Sequence, residues 1–301
     1  MNDQQPEPFE PLREDWQTAL AVVAHPDDME YGAASAVARW TSQGKRIVYV
    51  MVTSGEAGID SMSPAECRPV REAEQVASAA LVGVDVVEFL GHADGVLEYG
   101  LTLRRDIART IRRHRPEIVI TTNFRDTYGG VMPNQADHIA TGRATLDAVR
   151  DAANRWVFPD LVDEGHQPWG GVRELWAAGS PDARHAVDTT EHFDDGVASL
   201  KAHKAYLAGL GGDMANAGEF LEASPGPPAA GSASGTPPRS RCCNCPSAEP
   251  RRPGAAGARG AGREARREAR VQRRARRYRR TSWWSSRASS TAPSATSSHS
   301  W

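Results

Sequence analysis

Long apolar runs are missing from this 301-residue chain. The longest, such as Ile47–Val52, are strand-sized, and none approaches the roughly 20 residues that a membrane-spanning helix needs. The first residues, Met1 to Trp16, are acidic, contain proline and have no apolar centre. They do not read as a secretory leader, and the expected compartment is the cytoplasm. Cysteine is scarce as well. Only Cys67 lies in the first 210 residues, which excludes a disulfide framework there. Cys242, Cys243 and Cys245 stand too close together for the usual paired zinc spacing, and no second ligand pair follows them.

Net charge is nearly absent too, at -2, but the total conceals a split. Residues 1–210 hold 20 Lys and Arg against 32 Asp and Glu, a balance of -12. Residues 211–301 hold 16 against 6, a balance of +10. The two stretches are therefore read separately.

The first stretch alternates short apolar runs with longer amphipathic ones. Strands are expected at Leu20–Ala24, Arg46–Thr53, Asp85–Leu90, Glu117–Thr122 and Glu174–Ala178. Helices are expected at Glu30–Ser42, Ala65–Leu81, Leu101–His114, Ala136–Ala153 and Glu191–Leu207. Such alternation implies βαβ units and a mostly parallel sheet with helices on both faces. The expected fold class is an α/β, Rossmann-like three-layer sandwich. Residues 1–17 form an N-terminal extension in this reading, 18–221 the domain and 222–301 a basic tail.

The tail lacks a core. After residue 210, Ile, Leu, Val, Phe and Met together supply only Met214, Phe220, Leu221 and Val271. Ordering a residue costs about 1–2 kcal/mol, which so little apolar surface does not offset, so disorder is expected. Three readings stay open: a basic arm for a polyanion, a plain solvated tail, or the product of a frameshift in GC-rich DNA, whose codons yield Ala, Gly, Pro and Arg.

The chemistry concentrates after the first strand, in Ala24-His25-Pro26-Asp27-Asp28 followed by Glu30. Ligands of open α/β sheets bind outside the carboxyl ends of the strands, which is where this segment falls. A glycine-rich turn, which a dinucleotide-binding module needs at that place, is absent. One imidazole and two carboxylates stand there instead. Asp28 is read as a metal ligand with Asp27 facing the water; the plainer reading makes either aspartate a helix cap. Asn134-Gln135-Ala136-Asp137-His138 opens a helix after the fourth strand and brings His138 to the same edge. His25, Asp28 and His138 then form a set of two histidines and one carboxylate with an open position, as catalytic zinc requires.

With these motifs the sequence resembles the PIG-L/LmbE-like deacetylases, the amino-sugar deacetylases of glycolipid-anchor, mycothiol and bacillithiol synthesis. The resemblance runs from about Leu20 to about Leu221. It rests also on Ser54-Gly55-Glu56, Arg68 with Arg71-Glu72, Leu90-Gly91 with Asp94-Gly95, Val187-Asp188 and Ala202-His203. It implies zinc held by His25, Asp28 and His138, with Asp27 as general base towards the zinc-bound water. It further implies that Arg68 and Asp94 lie near the substrate. His and carboxylate ligands also suit iron(II).

One departure stands out. Many members of that family have a histidine three residues before the metal-binding one, and here the position is Gln135. A glutamine amide donates a hydrogen bond to an oxyanion but supplies no proton at neutral pH. Asp27 is therefore expected to accept and return the proton, with Gln135 stabilising charge. The expected activity is removal of an N-acetyl or other N-acyl group from an amino sugar or glycoconjugate, without nucleic acid as partner. An amidase of larger thiol-sugar conjugates would use the same ligands. A non-catalytic or nucleic-acid-binding protein acting through the tail is the alternative of another class.

Overall fold

The computed structural model describes residues 9–128, 132–210 and 212–223. A five-stranded parallel sheet forms its centre: β1 (Thr18–Val23), β2 (Arg46–Met51), β3 (Val86–Phe89), β4 (Ile118–Thr122) and β5 (Glu174–Ala178). Their order across the sheet is β3-β2-β1-β4-β5, a doubly wound arrangement whose direction reverses beside β1. Between the strands run α1 (Asp28–Gly32), α2 (Ala34–Ser42), α3 (Pro64–Leu81), α4 (Leu101–His114) and α5 (Ala136–Ala153). After β5 come α6 (Phe193–Lys201), α7 (Lys204–Gly209) and α8 (Ala217–Ala223).

Alternation along each strand divides the core into two layers. Ala21, Val23, Tyr49, Met51, Ile120 and Trp176 meet Val37 and Trp40 of α2 on one face. Leu20, Val22, Val48, Val50 and Val119 meet Ile107 and Ile111 of α4 and Ala144 and Ala148 of α5 on the other. Both faces of the central strands are buried, so β1 reads as a continuous apolar run rather than an alternating one. The expected three-layer α/β sandwich is the fold observed.

Local signals account for the helix ends. α3 opens with a capping box between Ser63 and Glu66 and with Pro64 at its first position. α4 closes on Arg112 and Arg113, cations that complement the carboxyl end of a helix.

Four expectations are revised. The helix expected over Glu30–Ser42 starts at Asp28 and breaks at Ala33, where φ is -144°. The helix expected over Glu191–Leu207 is divided: a 3-10 turn at Thr190–His192 precedes α6, and His203 stands between α6 and α7 with both ring nitrogens buried. Residues 9–17, read as an extension, pack onto the domain. Glu10–Pro11 pairs in parallel with His185–Ala186. Trp16 lies edge-on to Trp40 at 5.4 Å and to Trp176 at 5.8 Å. Disorder is expected after residue 210, yet a 3-10 turn at Gly212–Ala215 leads into α8, whose Leu221 packs with Phe193 and Leu200; from residue 224 the tail, with its three cysteines, lies outside the described residues.

Candidate metal centre

β1 delivers His25, Asp27 and Asp28 to the carboxyl edge of the sheet. The turn is tight: the Asp28 amide donates to the His25 carbonyl, and Asp28 Oδ2 accepts the His25 amide at 2.9 Å. Asp27 takes the position before α1 at φ 87°, a left-handed conformation that costs a residue with a Cβ about 1–3 kcal/mol. It makes no side-chain cap hydrogen bond, so its carboxylate is not spent on capping. The first turn of α5 brings in Asp137 and His138, and the loop after β3 brings in Asp94 and Gly95.

The geometry at the two histidines is specific. His25 Nε2 lies 3.1 Å from Asp94 Oδ1 and 3.3 Å from Asp137 Oδ2. Its Nδ1 faces Asp28 Oδ2 at 3.8 Å. His138 Nδ1 lies 3.0 Å from the Asn134 carboxamide oxygen and 3.0 Å from the Tyr128 hydroxyl. Its Nε2 stands 3.0 Å from Asp28 Oδ1 yet has no hydrogen-bond partner of good geometry among the described residues. Each ring thus has acceptors on its outer nitrogen and can keep the proton there. The inner nitrogens, His25 Nδ1 and His138 Nε2, then carry lone pairs facing the Asp28 carboxylate. That is the tautomer arrangement of metal-binding histidines, whose outer N–H is held by a carboxylate or carbonyl.

One ligand atom from each of His25, Asp28 and His138 lies within 4.8 Å of the others, so one cation can meet all three. His25, Asp94 and Asp137 satisfy the same distance. There, however, the single imidazole nitrogen already has two carboxylate acceptors, and both aspartates also accept backbone amides: Ala57 to Asp94, Gly95 and Leu97 to Asp137. The first set is the better cation site. Its donors suit zinc and also iron(II).

Electrostatics follow from crowding. Burial raises Asp27 to about 6, and the Asp28 charge adds to this while Arg71 opposes it. Burial would raise Asp28 as well, but His138 and His25 hold it far below the usual carboxylate range. Burial alone would lower His25; hydrogen bonds to Asp137, Asp28 and Asp94 prevail and push it up to about 12, so a cation taken at Nδ1 would displace the proton held there. Burial also pushes the Tyr128 hydroxyl up to about 12. A carboxylate excess around two imidazoles is the charge pattern that receives a divalent cation.

The structure brings His25, Asp27, Asp28, Asp94 and His138 together. Arg68 stands at the margin on α3, its side chain 40% exposed, and donates to Glu56 Oε1 at 2.8 Å. Gln135 is exposed at the position before α5, three residues ahead of His138. Asp137 was not singled out from the sequence, although it adjoins His138 and is buried against His25. Gln75 and Arg71, which contact the Asp27 turn, carry a legible signal: polar residues four apart on the face of α3 that packs inward. A separate cavity of about 360 Å³, lined by Arg104, Asp147, Arg150 and Asp151 among others, lies by the far end of α5. Arg104 and Asp151 pair with each other there.

The chain is similar to known proteins in sequence and in fold. Residues 20–149 match the family described as PIG-L: GlcNAc-PI de-N-acetylase. The diacetylchitobiose deacetylase of Thermococcus kodakarensis is 30% identical over 145 residues, 48% of this chain and 51% of that one. A 1D-myo-inositol 2-acetamido-2-deoxy-alpha-D-glucopyranoside deacetylase of Streptomyces scabiei is 27% identical over 198 residues, 57% of this chain and 58% of that one. The chain thus spans little more than half the length of these relatives. The solved N,N'-diacetylchitobiose deacetylase of Pyrococcus horikoshii shares the fold, with a TM-score of 0.63 and 22% identity over 69% of this chain and 77% of that one.

Proposed function

Because the chain carries a PIG-L family domain, we propose that it is a metal-dependent hydrolase that removes an N-acyl group, acetyl in the first instance, from an amino sugar. The observation that carries this reading is the shared orientation of His25 Nδ1, His138 Nε2 and the Asp28 carboxylate, with the outer ring nitrogens engaged elsewhere. The named relatives, deacetylases of acetylated amino sugars, support the substrate class.

His25, Asp28 and His138 would hold the cation, zinc by preference and iron(II) as the other candidate. When bound, it supplies Lewis acidity, which acidifies a water and polarises an amide carbonyl. The remaining chemistry falls to the protein's own groups. Asp27, raised to about 6, is close enough to neutrality to accept a proton from the attacking water and return it to the departing amine. Gln135 donates from its amide to the carbonyl oxygen as charge develops. Arg68 offers its half-exposed guanidinium to the sugar, and Asp94 meets the substrate while holding His25.

The test is acetate release by the zinc-loaded full chain from N,N'-diacetylchitobiose and from an N-acetylglucosaminyl inositol. Release that stops in Asp27→Asn supports the reading, and no release from any N-acylated amino sugar contradicts it. In Gln135→Ala, turnover should fall with zinc retained; loss of zinc in that variant would contradict the role given to Gln135. Cleavage confined to larger thiol-sugar conjugates would move the assignment to an amidase with the same ligands.

A further inference from the structure

An amphipathic helix ordinarily turns apolar residues inward. α3 departs from this with a buried polar stripe: Arg71, Gln75 and Ser78 are 1%, 0% and 0% exposed. The spacing of four and then three residues puts them on one face. All three converge on the segment after β1. Gln75 Oε1 accepts the Asp27 amide at 2.9 Å, and Gln75 Nε2 donates to Glu30 Oε1 at 2.9 Å. Ser78 Oγ donates to the same Glu30 oxygen at 2.7 Å. Arg71 Nη2 donates to the Pro26 carbonyl at 2.7 Å and to Asp27 Oδ2 at 3.3 Å.

The approach of Arg71 is prepared from the β2 side. Gly55 adopts φ 62°, and a Cβ there would sit 3.0 Å from Arg71 Nε and 3.1 Å from Pro26 Cδ. The gripped residue is the one under strain. Asp27 holds φ 87° with no cap hydrogen bond of its own, so the restraint comes from outside the turn. A return of that φ to the negative region would redirect the Asp27 carboxylate and the peptide leading into Asp28.

We propose that Gln75, supported by Arg71, is a positioning residue that holds Asp27 in its left-handed conformation and so fixes the geometry of the cation site formed by its neighbours His25 and Asp28. Gln75 acts through the Asp27 backbone amide and not through the reacting atoms. The inference rests on the metal-centre reading, and its test separates the two.

A double-mutant cycle on the full chain decides it. Gln75→Leu removes the acceptor for the Asp27 amide. Asp27→Gly removes the conformational cost, since glycine adopts positive φ freely. The loss of the Gln75–Glu30 hydrogen bond is common to both backgrounds and cancels. Zinc affinity is read by chelator competition, and the melting midpoint of the metal-free protein is read beside it. Gln75→Leu should weaken zinc binding about tenfold in the parent and less than about twofold in the Asp27→Gly background, as expected for relief of left-handed strain. Equal weakening in both backgrounds would overturn the proposal. If Gln75→Leu alone does not fold, recovery by Asp27→Gly supports the proposal and failure in both backgrounds overturns it. If the parent binds no zinc, the metal-centre reading falls. The melting midpoints then decide alone: a drop relieved by Asp27→Gly supports the positioning role, and an equal drop in both backgrounds overturns it.

Discussion

His138 Nε2 and Asp28 Oδ1 stand 3.0 Å apart across the carboxyl edge of the sheet without hydrogen-bond geometry between them. One comes from the first turn of α5 and the other from the turn after β1. The contact is therefore long-range in sequence and is made by two adjacent strand-to-helix connections. Its orientation depends on what holds the far side of the imidazole.

Asn134 is that support. Its carboxamide oxygen lies 3.0 Å from His138 Nδ1. Replacing it by Leu removes one of the two groups on Nδ1 and leaves the Tyr128 hydroxyl, so zinc affinity should fall about tenfold, the lower end of the usual effect of losing such a partner. Asn134→Asp keeps an acceptor and should retain most of the affinity. Chelator competition checks both.

Asp27→Asn preserves size and removes the base. Turnover should fall by about 10²–10⁴ with zinc content unchanged. Steady-state kinetics beside metal analysis is the check. Loss of zinc in this variant would make Asp27 a ligand instead.

Glu88 offers a pH test remote from the site. It lies on β3 and accepts from His114 Nε2 at 2.8 Å and from Arg113 at 3.0 Å. The His114 hydrogen bond foremost, with the Arg113 charge, holds its carboxyl below the usual range. A carboxyl lowered in the folded state stabilises the fold above the unfolded value, and that contribution is lost as pH falls through the folded value. The pairs are partly exposed, so the gain is at most about 1 kcal/mol. Glu88→Gln should melt a few degrees below the parent at pH 7, and the gap should close below about pH 4. Thermal melts across that range are the check.

Arg112 tests the far end of α5. It is buried and donates to the carbonyls of Ala152, Phe158, Asp151, Asn154 and Val157. Arg112→Met leaves those carbonyls without their shared donor and should cost about 3–5 kcal/mol in denaturant unfolding. Zinc affinity of the folded fraction should stay unchanged.

Much of this was legible in the sequence, for physical reasons that differ by element. α4, α5 and β5 fall on the expected residues, because Gly100, Arg115 and the apolar period mark their limits. The break at Ala33 is marked only by Gly32 before it, since alanine is the last residue expected to end a helix. The histidine–aspartate set was visible because its members lie in two compact motifs. Asp94 bonding His25 depends on loop closure that no local pattern encodes, and for Gln75 the local pattern shows a polar position on the inward face of α3 but not its partner Asp27, 48 residues away. Trp16 precedes β1 and falls in the expected extension, because its packing on Trp40 and Trp176 is long-range and leaves no local mark.

Metal analysis of the purified full-length chain, beside His25→Ala and Asp28→Ala, bears most directly on the central claim. About one zinc per chain is expected, lost in both variants while their folds persist, as for a single three-ligand site. A folded parent that takes up no divalent metal, or variants that keep it, would contradict the claim that His25, Asp28 and His138 form a metal centre.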